Sequence, residues 1–210
     1  MSDTAPPSPS KRESRKQDRR LAILHVARHA FLENGYSGTS MSAIAAELGG
    51  SKATLWSYFP SKEDLFSAVL DEATRAYRQQ LTDLLKPSED VRATLVEFAR
   101  GFLAKLTSPD ALRLHRLVAA EAGRAPEVGQ IFYRRAPQRT QELLSEFLAA
   151  AMAAGQLREE DPADAARVMT ALCTGGLPQR LLWGQGEATP ERIEAEAQWA
   201  VEVFLRAFGV

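Results

Sequence analysis

The chain has one cysteine, three histidines and no long uncharged apolar run among its 210 residues, and each scarcity excludes a class of protein. With Cys173 alone, neither an intrachain disulfide nor a multi-cysteine zinc site can form, and a chain so poor in cysteine fits a reducing compartment. No stretch of about 18 uncharged apolar residues is available to span a bilayer. The polar, proline-rich N-terminus also lacks the apolar segment of a secretory signal. A soluble cytoplasmic protein without a membrane partner is therefore expected. The G-x-S-x-G nucleophile turn, the G-x-x-x-x-G-K phosphate loop and the H-E-x-x-H zinc pair are all missing, and Gly184-Gln185-Gly186 follows no strand. Nothing points to an enzyme or to a bound cofactor. His25, His29 and Glu33 recur every four residues, but ligands on three successive turns spread over about 12 Å of helix axis, too far to close on one ion. They are read as a solvated face, and no metal is expected.

What is present is a chain that is 45% apolar, enough for a real core, and long enough for one domain or for a small unit beside a larger one. The net charge of −1 conceals an uneven distribution. Up to Lys62, nine lysines and arginines face five acids, a formal +4, which leaves −5 on the remainder. A basic head on an acidic body suits a molecule in which only one end approaches phosphates.

Residues 1–17 combine serine, proline and charge without apolar periodicity and read as a disordered basic arm, able to touch DNA nonspecifically or to remain a solvated tail. Beyond them the pattern is helical throughout, with no convincing period-two alternation. The spacing predicts a first helix from about Asp18 to Asn34, stopped by Gly35. Ser40 is placed to cap a short second helix with Met41, Ile44, Ala45 and Leu48 on one face. Ser51 is placed to cap a third of about seven residues, in which only Leu55 and Phe59 face inward together, and Pro60 ends it. Ser61 opens a longer fourth helix, with Glu63 and Asp64 in its first turn where the helix dipole favours acids. Further helices are expected from Ser88, from Ser108-Pro109, from Pro126 to Ala154 with an interruption at Pro137, from Asp161-Pro162 to near Trp183, and from Thr189-Pro190 to Phe208. About nine helices and an all-α fold result, organised as the arm, a helix-turn-helix unit over 18–66 and a larger helical body over 67–210.

Two short helices joined by Leu48-Gly49-Gly50-Ser51 have the geometry that holds one helix in a major groove while its neighbour crosses the backbone. The outward side of the second presents Lys52, Ala53, Thr54, Trp56, Ser57 and Tyr58. Small Ala53 and Ser57 allow approach to base edges, and Lys52, Tyr58 and Lys62 can donate to phosphates, Lys62 from a helix N-terminus.

Over residues 19–66 the chain resembles the DNA-binding domain of the TetR/AcrR family of regulators. The resemblance lies in Ala30-Phe31, Gly35-Tyr36, Thr39-Ser40, Ile44-Ala45, Leu48-Gly49, Ser51-Lys52, Thr54-Leu55-Trp56, Tyr58-Phe59 and Lys62 to Phe66. The stretch from Leu117 to Tyr133, with Ala120 to Arg124 and Pro126-Glu127, is similar to an effector domain of one branch of that family. Three positions depart: Gly50 stands where an apolar residue is usual, Ala53 where glycine is, and Trp56 where tyrosine is. The resemblance implies a ligand-responsive transcriptional regulator, commonly a repressor. Three N-terminal helices would read an operator in duplex DNA, and a larger domain would dimerise and enclose a small-molecule effector. It carries DNA contact to Ser40, Lys52, Ala53, Thr54, Trp56, Ser57, Tyr58 and Lys62. A homodimer through the last two helices also suits the apolar side of the final one, where Ile193, Ala197, Ala200, Val201, Phe204 and Phe208 align. An apolar effector is expected among Phe98, Phe102, Leu106, Leu117, Phe132, Met169 and Cys173, oriented by His115, Arg116 or Glu121. Such stripes also serve as plain core.

Overall fold

A computed structural model describes residues 11–210. Among the described residues there are eleven α-helices and no strand beyond one isolated antiparallel bridge between Leu157 and Gly209. They run α1 Lys11–Gly38, α2 Met41–Glu47, α3 Lys52–Tyr58, α4 Lys62–Leu84, α5 Val91–Leu106, α6 Pro109–Glu121, α7 Pro126–Arg135, α8 Pro137–Ala153, α9 Pro162–Thr174, α10 Leu177–Leu182 and α11 Pro190–Phe208. The chain divides into two compact units, Met1–Glu72 and Ala73–Val210, so that α4 begins in the first and ends in the second.

The helix starts read from the sequence are capped as their residue types require. Ser40, Ser51, Ser61, Ser108, Asp161 and Thr189 each accept a hydrogen bond from an amide in the first turn that follows. At Ser61 the hydroxyl also donates to the Asp64 carboxylate at 2.8 Å, which fixes the entry to α4. The cap of α5 falls two residues later than expected, on Asp90, whose carboxylate accepts from the Ala93 amide at 2.8 Å.

Three expectations need correction. The first helix begins at Lys11, not near Asp18, so the part of the expected basic arm over 11–17 is helical, and residues 1–10 lie outside the described residues. The reason is local: Lys11 to Asp18 are strong or tolerant helix formers joined directly to a packed helix, and every one of them is exposed. The helix expected from Pro162 to Trp183 divides at Gly175-Gly176 into α9 and α10. A Cβ on Gly176 would lie 1.4 Å from Oε1 of Glu196, the carboxylate oxygen that accepts from the Leu177 amide at 3.1 Å and so serves as the missing cap of α10. This division, with that at Pro137, raises the count from about nine helices to eleven. Finally, the apolar side of α11 is spent within the chain. Ala197, Ala200, Val201 and Phe204 are fully buried, and Ile193 and Phe208 pack against the same core.

The second unit is built around that core, to which α5 gives Leu95, Phe98 and Leu103, α8 gives Leu144 and Leu148, and α9 gives Met169 and Cys173. Ion pairs rim it, with Arg100 on α5 donating to Glu194 of α11 at 2.6 Å. The end of the chain is held by Arg158, which donates to the carbonyls of Arg206 and Gly209. In the first unit the core is aromatic: Phe31, Tyr36 and Phe66 meet with ring centroids 5.2 to 5.7 Å apart.

Phe204 has no exposed surface and stacks on Phe208 at 4.7 Å. Phe204→Ala should cost about 3–5 kcal/mol in a urea titration of the whole chain, the range for deleting a buried phenyl ring. An unchanged midpoint would mean that α11 is peripheral to the second unit.

Candidate nucleic-acid interface

α3 contains seven residues, too few to be stable alone, so its position depends on what it buries. Leu55 is 2% exposed and Phe59, just past its end, 4% exposed. Both point into the first unit. Around the rest of the cylinder Lys52, Ala53, Thr54, Trp56 and Ser57 are exposed, and Tyr58 is partly so. The outward flank anticipated from spacing is therefore the flank the fold leaves bare, and Trp56, 39% exposed, is its largest ring.

Local hydrogen bonds hold this flank in one conformation. The Ser51 and Thr54 hydroxyls lie 2.9 Å apart, Ser51 Oγ accepts from the Thr54 amide at 3.2 Å, and Ser57 Oγ donates to the Thr54 carbonyl at 2.7 Å. The turn before it uses Gly49 at φ 61°, a left-handed conformation that a side chain would oppose, to end α2. Gly50 serves a different purpose. A Cβ there would stand 2.7 Å from Nη2 of Arg19, and this guanidinium reaches the Leu48 carbonyl at 3.5 Å. The loss of the usual apolar side chain thus makes room for a cation from α1 against the C-terminal end of α2. Arg19 was not among the expected site residues, and only the unusual Gly50 hinted at it.

Thr39 is a second residue that spacing undervalued, since it read as part of a turn. It is 4% exposed, and its hydroxyl donates to the Gly35 carbonyl at 2.7 Å and lies 3.0 Å from that of Ala30. This fastens α2 to the end of α1 where Gly35, at φ 74°, breaks the helix. Ser40 is exposed beside it, with its hydroxyl engaged as the α2 cap. Lys62 is half-buried at the start of α4, its ammonium 4.2 Å over the face of Tyr36, a cation–π arrangement. Arg20 stands similarly 5.5 Å over Phe59. The basic side of the unit is therefore anchored on its aromatic core.

The residues expected around an effector do not form one group. Phe98, Phe102, Leu106, Met169 and Cys173 belong to the single core of the second unit. His115 and Phe132 pair edge to face at 5.1 Å, and burial pushes the imidazole below its ordinary pKa, so that it is neutral at pH 7. Arg116 is committed to the end of α10, donating to the Leu181 and Leu182 carbonyls. Glu121 ends α6, where its own carbonyl accepts from the Arg124 and Ala125 amides. Leu117 is buried outside the main core. Cys173 is fully buried, and burial together with the negative charge of Glu196 pushes its thiol up to about 12.

Two family models cover most of the chain. Residues 23–69 match the bacterial regulatory proteins of the tetR family, and residues 93–210 match the C-terminal domain of AefR-like transcriptional repressors. The chain belongs to the TetR family. It is a DNA-binding helix-turn-helix transcriptional regulator and not an enzyme. A putative TetR-family regulator from Mesorhizobium loti superposes with a TM-score of 0.80 at 28% identity, covering 96% of this chain and all of that one. The flavonoid-responsive regulator FrrA superposes at 0.77 with 36% identity, covering 91% of this chain and 98% of that one. Among curated relatives, the transcriptional regulator RutR of Escherichia coli K12 is 33% identical over 109 residues, 49% of this chain and 51% of RutR. The chain thus spans about half the length of that relative.

Thr39→Val removes the hydroxyl and keeps the shape. The Ile44 and Ala45 amides of α2 should then exchange with solvent on the order of tenfold faster, as expected for losing a buried hydrogen bond worth about 1–1.5 kcal/mol. Unchanged exchange would show that α2 is held by Met41 and Ile44 packing alone.

Proposed function

We propose that this TetR-family regulator acts in the cytoplasm as a homodimeric repressor that is released from its operator by a small apolar or aromatic molecule. The observation that carries the DNA-reading part is α3 itself, a helix whose buried side is Leu55 alone and whose remaining surface is hydroxyls, an ammonium and aromatic rings. Set in a major groove, Ala53 and Ser57 are small enough for close approach to base edges, and Thr54 and Trp56 can meet a thymine methyl or a base-edge acceptor. Ser40, Lys52, Tyr58 and Lys62 lie where phosphates would flank that helix. A cytoplasmic setting agrees with the single buried cysteine and with the absence, among the described residues, of a helix long and apolar enough to cross a membrane.

Dimerisation cannot draw on the apolar side of α11, which the core consumes. What remains outward is Trp199, 53% exposed, with Ala195 on the preceding turn of α11, and the exposed Ala163 and Ala171 on α9. Small residues around a large ring suit close helix packing between two copies through the last helices. Two copies would set their reader helices about 34 Å apart, or at another spacing that matches successive grooves. An effector that altered this spacing by favouring a different arrangement would lower operator occupancy. A coupling of about 1–3 kcal/mol, the ordinary size, is enough for a severalfold or larger loss. An aromatic effector agrees with the ring-rich core of the second unit and with FrrA being flavonoid-responsive.

Gel retardation of a duplex carrying the upstream region of the chain's own gene should show binding that weakens steeply with salt. Lys52→Ala should reduce the slope of log affinity against log salt by about 1, the signature of one lost phosphate contact. Failure of the wild-type chain to retard any duplex in dilute salt would sink the reading.

Trp199→Asp places a charge on a surface that is already half exposed, so the fold should survive. Sedimentation is expected to show monomers with unchanged helicity and weaker operator binding. A dimer that persists would move the interface elsewhere.

A further inference from the structure

Within the second unit one polar atom lacks what buried polar atoms ordinarily have. The hydroxyl of Tyr77, in the latter part of α4, is sealed from solvent and has no hydrogen-bond partner among the described residues. A phenol buried in this way normally finds an acceptor. Its surroundings explain why none is present. The ring lies nearly parallel to that of Phe102, with centroids 6.5 Å apart and planes 19° off parallel, and Phe102 lies over Phe98 at 5.6 Å and 24°. Three rings thus form a layered stack, with the Cys173 thiol close by. Burial drives the Tyr77 pKa far above that of a free phenol and holds the thiol protonated, so both groups are neutral. The Tyr77 side chain as a whole is only partly buried, so the stack reaches the surface along α4.

The chemistry of this layer is selective. Near-parallel rings favour a flat aromatic guest, which extends the stack with ring faces in contact. The unpaired hydroxyl offers one directional hydrogen bond to an oxygen on that guest. The cation best placed to neutralise a carboxylate is Lys105, one turn beyond Phe102, and its ammonium already donates to the Ala73 carbonyl at 2.9 Å. A neutral oxygen therefore suits the layer better than an anionic one, whose desolvation a lone phenol would not offset.

We infer that Tyr77 is the specificity-determining residue of the effector site, donating its hydroxyl proton to a neutral carbonyl, ether or hydroxyl oxygen of a planar aromatic ligand stacked on Phe102 and Phe98. This rests on the effector reading given above and narrows it to one ligand class and one hydrogen bond.

Chromone and naphthalene are bicyclic, flat and alike in size, and only chromone carries oxygen acceptors, so the pair isolates the contact. Calorimetric titration of the full-length chain should give chromone an affinity roughly tenfold above that of naphthalene, the fold-change of one neutral hydrogen bond made in a buried site. Tyr77→Phe should erase that preference and leave naphthalene binding unchanged. The ligand-free variant should melt no lower than the wild type, because phenylalanine keeps the ring and removes an unpaired polar atom. Equal affinities for both probes in both proteins would overturn the role of Tyr77 while leaving an apolar effector site in place. Binding of neither probe to the wild type would overturn this inference together with the reading of the ring layer as an effector site. A ligand-free variant that melts lower would show that the hydroxyl has a partner in the free protein, and the inference would fall.

Discussion

The reader helix is held by two side chains. A seven-residue helix in water does not hold its shape, because nucleation costs more than so few hydrogen bonds return. α3 persists because Leu55 and Phe59 are buried in the first unit and because Ser51 caps its open amides. The same requirement leaves its other residues free to be polar. Nothing in the fold asks Lys52, Thr54 or Ser57 to be what they are, so their identities are available for recognition. Trp56 carries a large ring into solvent with no packing return, which a purely structural helix would not tolerate at so small a size.

Most of this unit was legible in the sequence because its signals are local. Serine hydroxyls cap the next turn, Gly35 and Gly49 stop helices in the left-handed region, and an i, i+4 apolar pair marks an inner face. Each relation spans four residues or fewer. The contacts that escaped reading span more. Arg19 reaches Leu48 across 29 positions, and Thr39 reaches back nine residues to Ala30. No periodicity announces such a pair, although an unexpected Gly50 is the trace one of them leaves.

The second unit was less legible for a different reason. Its helices were found, but the purpose of an apolar stripe is not written in its spacing. The side of α11 carrying Ala197, Val201 and Phe204 reads equally well as a dimer seam or as core, and it is core. The extra break at Gly175-Gly176 depends on Glu196, twenty positions on, whose carboxylate occupies the space a side chain would need. Arg116 looked like an orienting group for a ligand and is instead consumed by the carbonyls that end α10. Charged groups near a core are more often employed by helix ends than held in reserve, because four carbonyls at each C-terminus must find donors.

Pocket and core share a vocabulary of phenyl rings, methionine and cysteine, so composition cannot tell them apart. Hydrogen bonding can. A core selected only for packing tends to leave no polar atom unpaired, since each one weakens the folded state without return. A site shaped for a guest retains such an atom, because the guest completes it. The same logic governs response. A ligand shifts an equilibrium only by the difference in its affinity for two states, and a hydrogen bond available in one arrangement of a helix and lost in another supplies such a difference. Tyr77 lies on α4, the same continuous helix that opens with Lys62 beside the reader. A change in how that hydroxyl is satisfied therefore acts on an element that belongs to both units. The sequence alone could not separate this tyrosine from its neighbours in the stripe, because what distinguishes it is a missing partner, and absence has no periodicity.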